Sequence, residues 1–311
     1  AQEAALLASE GVDGVMIELG GPGGELRFLG PKIERYFLKG TLDKIGIEGE
    51  LLAEGEYKSA PEMFTRKESS AASRTSTLSE LKEAETILID HLTKTGRIKG
   101  KSDWDNLTKK ALFSSESAKK ANLIDAVTPY TVISEEISKQ TFATNQLEYQ
   151  RDLLALPPRV AVVVASGNIL QKKIRGLSLL GQQSLTSERM ERHFGRCLQD
   201  SRTKAVVLRV SSPGGEILPS YEIAHSLNRL KEKKPVLVSM GDVAASGGYL
   251  ISAPANKIFA DSMSLTGSIG VFLGKFSLQS LYKKIDLSKE VLSHSPHPRL
   301  MSEDKPWSKE D

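Results

Sequence analysis

The chain has 311 residues, room for two domains of ordinary size, and 39% of them are hydrophobic, which supports a packed core and excludes wholesale disorder. Its formal net charge of +3 gives no electrostatic footprint for nucleic acid. One cysteine, Cys197, cannot close an internal disulfide; the five histidines, His91, His193, His225, His294 and His297, show no ligand spacing beyond the weak His294/His297 pair, so no metal and no cofactor is expected.

Along the chain, the Gly20–Gly24 run (GGPGG) lacks the Gly-Lys-Ser/Thr of a phosphate loop and is read as a plain turn. Glu50–Ala53 reads as a strand, followed by Lys58 in Gly-Glu-Tyr-Lys-Ser-Ala. Leu78, Leu81, Leu88 and Leu92 lie on one face of an amphipathic helix ending near Gly96. Val160–Val164 predicts a strand buried on both faces. Ser187 caps a helix with Met190, Phe194, Cys197 and Leu198 on its apolar stripe, which makes Cys197 a core residue. Ala205–Val210 is a second buried strand, ending in the turn signal Ser-Pro-Gly-Gly. A helix is expected from about Tyr221 to Lys231, with Lys231–Lys234 a solvated helix end. Pro235–Met240 is a third strand, Gly241–Gly248 a turn in which Asp242 is a turn residue, and Tyr249 onward an apolar helix start. Ile258–Ala260 and Ser268–Phe272 are read as further short strands. Strands alternating with helices predict an α/β fold on a largely parallel sheet with flanking helices.

The first half carries a partial copy of the second. Ala5–Glu18 aligns with Tyr249–Asp261, and Leu42–Leu52 with Tyr282–Leu292, matching Lys44 to Lys284, Ile45 to Ile285 and Glu50 to Glu290. Two matches in the same order suggest a tandem duplication. Residues 1–127 are then a first repeat incomplete at its start, 128–158 a connection, and 159–311 a second repeat incomplete at its end. Both ends read as truncated.

The chemistry centres on Ser246. Gly-Asp-Val-Ala-Ala-Ser-Gly-Gly-Tyr (241–249) sits between a buried strand and an apolar helix, which exposes the serine at a strand's carboxyl end among small neighbours. The helix start offers free N–H groups for an oxyanion. The spacing is not that of the Gly-x-Ser-x-Gly elbow. A serine hydroxyl needs a base, and no histidine stands near the strand ends. Lysine serves when burial lowers its pKa, and Lys58 is the candidate. The repeat sharpens this choice. The position matching Lys58 falls near Pro298, where there is no lysine, and the one matching Ser246 falls near Gln2, where there is no serine. Each copy holds half of a dyad, so the two copies are expected to face each other and share one site.

The stretches MGDVAASGGYLISAPANKIFADSMSLTGSIGVF and GEYKSA resemble the signal peptide peptidase A (protease IV) family in its double-length bacterial form. The resemblance covers nearly the whole chain. It implies two crotonase/Clp-protease-like domains, Ser246 as nucleophile and Lys58 as base. It implies that Ser268 hydrogen-bonds the lysine and that the N–H of Gly214 or Gly215, beside that of Gly247, forms the oxyanion site. It further implies cleaved signal peptides as substrates, a homotetramer, and the periplasmic side of the inner membrane, reached through an anchor segment absent here. Two other readings stand beside it: a crotonase-type acyl-CoA enzyme, which needs no serine nucleophile, and a non-catalytic peptide-binding or scaffolding paralogue.

Overall fold

The computed structural model describes residues 16–17, 25–127, 157–172, 184–292, 294 and 300–308. The glycine run 20–24, most of the 5–18 alignment, Gln2, His297, Pro298 and all but two residues of the connection (128–156) lie outside the described residues. Two compact units are present: Ala1–Glu34 with Thr77–Arg151, and Arg35–Ser76 with Asp152–Asp311. The units do not follow chain order. The segment that carries Lys58 packs with the second half of the chain.

The second unit is the α/β body. In chain order it holds α1 (Lys39–Ile45), β1 (Glu48–Ala53), β2 (Arg159–Ser166), α2 (Ser187–Gln199), β3 (Thr203–Ser212), α3 (Ile217–Lys231), β4 (Val236–Ala245), α4 (Gly247–Ser252), β5 (Lys257–Phe259), β6 (Leu265–Gly267) and β7 (Phe272–Ser277). Strands β5, β4, β3 and β2 lie side by side in that order, all parallel, and β6 also pairs parallel with the end of β4. This is the expected class. β1 and β7 form a separate antiparallel pair, from Glu48 opposite Ser277 to Ala53 opposite Phe272.

Strand alternation sets the core. Val206, Leu208 and Val210 of β3 and Val236, Val238 and Met240 of β4 point to one face. There they meet Met190, Phe194 and Cys197 of α2, Ile223, Leu227 and Leu230 of α3, and Ile251 of α4. Cys197 is core, as expected, and burial pushes its thiol pKa up. The first unit packs Leu26, Phe28, Leu88, Leu92, Trp104 and Phe113 into its own core, with the Phe28 and Trp104 rings edge to face at 5.1 Å. The leucine helix runs over Ala71–Lys94, and of the four leucines expected on its apolar face Leu88 and Leu92 are fully buried.

Several expectations are corrected. β2 is not buried on both faces. It is an edge strand whose Val163 and Ala165 face the core while Val160, Val162 and Val164 are 61%, 66% and 56% exposed. A run of valines does not reveal which face a sheet leaves bare. β4 does not stop at Met240. It continues to Ala245 across an irregularity between Met240 and Ala244, because β6 pairs with Val243–Ala245, so Asp242 is an exposed strand residue rather than a turn residue. Residues 268–271 are a loop between β6 and β7 rather than a strand, since Gly267, Ser268 and Gly270 all have positive φ. α3 starts earlier than expected, at Ile217. Lys234 is no solvated helix end. Its amine donates to the carbonyls of Cys197 and Asp200, capping the end of α2.

Truncating the fully buried Leu208 to alanine is expected to cost about 2–5 kcal/mol, and truncating the exposed Val162 less than about 1 kcal/mol. Denaturant midpoints of Leu208→Ala and Val162→Ala check the assignment of the two sheet faces.

Candidate active site

Ser246 links β4 to α4. Its φ of 53° and ψ of −118° lie outside the ordinary regions for a residue with a side chain. The turn is held by Ser246 N–H donating to Gly267 O at 2.8 Å and by Leu250 N–H donating to Ser246 O at 2.9 Å. The hydroxyl makes no capping hydrogen bond to the helix that follows. It faces Lys58 instead, whose Nζ donates to Ser246 Oγ at 3.1 Å.

Lys58 is 8% exposed. Its amine also donates to Ser268 O at 2.7 Å and to Ser268 Oγ at 3.3 Å. Among the described residues no carboxylate forms an ion pair with it. Burial alone pushes its pKa below the ordinary lysine value, because desolvation penalises the ammonium and no nearby negative charge offsets it. A neutral amine has two N–H bonds and one lone pair. The two oxygens of Ser268 can take the N–H bonds, which leaves the lone pair for the Ser246 hydroxyl.

The β1–β7 pair brings these groups together. Lys58 follows β1 by five residues, and Ser268 precedes β7 by four. Glu54 N–H extends the pairing to Val271 O at 3.1 Å. Gly270 lies where the two segments cross. A Cβ there would stand 3.1 Å from Glu54 O and 3.6 Å from Lys58 Cδ, at a φ of 137°. Ser268 has a φ of 49°, so two of the residues around the amine hold unusual backbone.

The Ser212-Pro-Gly-Gly215 turn packs directly on the start of α4. A Cβ on Gly214 would meet Gly247 N at 2.6 Å and Ser246 Cβ at 2.9 Å, and one on Gly248 would meet Ser212 O at 2.5 Å. Only glycine permits this approach. The two glycines of the turn differ in role. Gly214 is buried and donates its N–H to Ser212 Oγ at 3.1 Å, so that donor is occupied. Gly215 is exposed, and among the described residues no acceptor takes the N–H of Gly215 or of Gly247.

All six residues singled out from the sequence, Ser246, Lys58, Ser268, Gly214, Gly215 and Gly247, therefore lie in one unit around one turn. Sequence reasoning passed over Ser212, Ser220 and Gly270. Ser220 Oγ stands 2.5 Å from where a Cβ on Gly247 would be. The signal for Ser212 was present, as the first residue of the turn already singled out.

A buried lysine on a strained serine at a strand's end, beside two unclaimed N–H donors, is the equipment of a serine hydrolase. The family model for peptidase family S49 matches residues 27–143 and 228–311, more than half of the chain. The chain belongs to peptidase family S49. It is 29% identical over 319 residues to the chloroplastic serine protease SPPA of Arabidopsis thaliana, covering 94% of this chain and 45% of that protein. It is 29% identical over 276 residues to Protease 4 of Haemophilus influenzae, covering 84% of this chain and 45% of that protein. The chain thus spans less than half the length of these relatives. Among solved structures it is similar to a mutant of ClpP1 from Listeria monocytogenes, with 21% identity, 30% of this chain and 46% of that chain covered, and a TM-score of 0.23.

Gly270→Ala is expected to displace the Lys58 stem and slow fluorophosphonate labelling of Ser246 by roughly 10- to 100-fold, since misplacing a reacting group by about 1 Å costs that much. Gly40→Ala, with nothing within 4 Å of the added carbon, should label at the normal rate. Equal rates in the two variants would remove Gly270 from the set of residues that position the amine.

Proposed function

We propose that the chain carries the catalytic dyad of a serine endopeptidase, with Ser246 as nucleophile and Lys58 as general base. The observation that carries this reading is the 3.1 Å contact between Lys58 Nζ and Ser246 Oγ, made by a buried amine with no carboxylate partner among the described residues. In the first step the Ser246 hydroxyl proton passes to neutral Lys58 as Oγ attacks the peptide carbonyl carbon. The N–H groups of Gly215 and Gly247 hold the oxyanion. The lysine ammonium, steadied by the two oxygens of Ser268, returns the proton to the leaving amine as the C–N bond breaks. Water then gives a proton to Lys58 and attacks the acyl-enzyme; as that intermediate collapses, the Lys58 ammonium returns the proton to Ser246 Oγ, and the product acid ionises in solvent to the new carboxylate.

The names of the relatives support peptide bonds as the target: a serine protease, Protease 4, and a putative signal peptide peptidase of Enterococcus faecium. Remnant signal peptides, a homotetramer and work at the periplasmic face of the inner membrane are parts of the same reading. Among the described residues no helix is long and apolar enough to cross a membrane. The tandem duplication is supported by the two separate stretches that match one family model, with Lys58 in the first and Ser246 in the second.

The test is fluorophosphonate labelling across pH, with the modified peptide mapped. Lys58 acts as the neutral amine, and its pKa is lowered, so labelling should rise with pH through that lowered value and level off above it. Ser246→Ala should abolish labelling, and Lys58→Met should reduce it by at least about 100-fold. Labelling that persists in Lys58→Met would remove the base. No labelling of the unsubstituted protein, with peptide binding intact, would favour the scaffolding reading; acyl-CoA turnover independent of Ser246 would favour the crotonase-type one.

Stability gives an independent check. A lysine whose folded pKa lies below its unfolded value destabilises the fold where it must be protonated, and that penalty fades as pH rises toward the unfolded value. Lys58→Met should therefore melt no lower than the unsubstituted protein at neutral pH, with any gain shrinking as pH rises. A large loss of melting temperature would mark Lys58 as structural.

A further inference from the structure

Ser212 ends β3, is fully buried, and has a hydroxyl that serves two segments at once. Ser212 Oγ donates to Gly167 O at 2.7 Å and accepts from Gly214 N–H at 3.1 Å. No reacting group touches it, yet it lies directly beneath the turn that faces Ser246. The next peptide is fixed from its other end, where Ile169 N–H donates to Gly214 O at 2.9 Å. In a trans peptide the C=O and N–H point in opposite directions. With Gly214 N–H turned inward to Ser212 and Gly214 O turned to Ile169, the N–H of Gly215 is directed away from Ile169. It has no acceptor there among the described residues, and the turn that carries it packs on Gly247 N.

From this we infer that Ser212 is a positioning residue: its hydroxyl anchors the Pro213–Gly214 peptide and, together with Ile169 N–H on Gly214 O, sets the orientation of the Gly214–Gly215 peptide and so aims the Gly215 N–H as an oxyanion donor. The inference rests on the serine-hydrolase reading above. It explains why a polar side chain occupies a wholly buried strand end. A two-glycine turn has wide conformational freedom, and φ values of 97° at Gly214 and 155° at Gly215 need an external restraint to be held as one state. Ile169 N–H supplies it at Gly214 O, and the Ser212 hydroxyl, which donates to one segment and accepts from the other, supplies it at Gly214 N–H.

The experiment compares Ser212→Ala with the unsubstituted full chain. Alanine removes both hydrogen bonds with little change of shape. Three quantities are read: the limiting rate of fluorophosphonate labelling at saturating probe, the probe concentration giving half that rate, and the pH profile. Loss of a whole oxyanion donor costs about 100- to 1000-fold, so a donor left in place but no longer aimed should cost roughly 10- to 100-fold. The expected result is a fall of that size in limiting rate, a half-saturating concentration changed less than about threefold, and an unchanged pH midpoint, because Lys58 is untouched. A merely structural role predicts instead a loss matching the fraction unfolded, read from the melting curve. Ser212→Cys keeps the volume while weakening both hydrogen bonds, and it covers the case in which alanine fails to fold. A limiting rate within about twofold of normal in folded Ser212→Ala overturns the inference, as does a shift confined to half-saturation or to the pH midpoint. If the unsubstituted protein does not label at all, the hydrolase reading fails and this inference with it, an outcome distinct from normal labelling in the variant.

Discussion

The site depends on an amine that has left water without acquiring a counter-charge. Lys58 is nearly buried, has two oxygens of Ser268 and one of Ser246 around it, and is pushed below the ordinary lysine pKa by desolvation. The same side chain elsewhere behaves oppositely. Lys101, beside Asp105 and Glu85, and Lys289, beside Glu303, are both pushed up by their carboxylate partners. A carboxylate beside Lys58 would hold the proton that the proposed mechanism must move. Serine oxygens are a different solution, because they accept hydrogen bonds from either protonation state while adding no formal charge.

Holding that arrangement is a backbone problem. Lys58 and Ser246 are 188 positions apart in sequence and meet through two strand pairings, β1 on β7 and β6 on β4. Ser246 and Ser268 both have positive φ, a conformation that costs on the order of 1–3 kcal/mol at a non-glycine residue. The cost falls on the two residues whose side chains must turn toward one amine. Neither could be relieved by glycine without losing the hydroxyl. Strain here follows from needing a side chain where the chain path favours none.

Much of this was legible in the sequence, because it rests on local pattern. The valine-rich strands, the small residues around Ser246 and the Ser-Pro-Gly-Gly turn each state their own requirement. Lys58 was legible by a different route, through the mismatch between two repeats and through family resemblance, since nothing local separates it from other lysines. What escaped was set by non-local pairing. The exposed valines of β2 depend on which sheet face the helices cover. The continuation of β4 through Asp242 depends on β6 arriving beside it. The N–H groups of Gly214 and Gly215 diverge because a hydroxyl below the turn takes the first while Ile169 N–H, on Gly214 O, turns the second away.

The two halves of the site are built from different materials. The proposed oxyanion side is main chain, fixed by close contacts that only glycine allows at Gly214, Gly215 and Gly248, where an added Cβ would stand 2.0–2.6 Å from another main-chain atom. The proposed base is one side chain reaching in from a separate segment. Loss of the lysine would leave the turn intact, whereas a methyl group on any of those glycines would force the turn itself to move. The proposed duplication fits this division, since one working site would need only the serine of one copy to meet the lysine of the other.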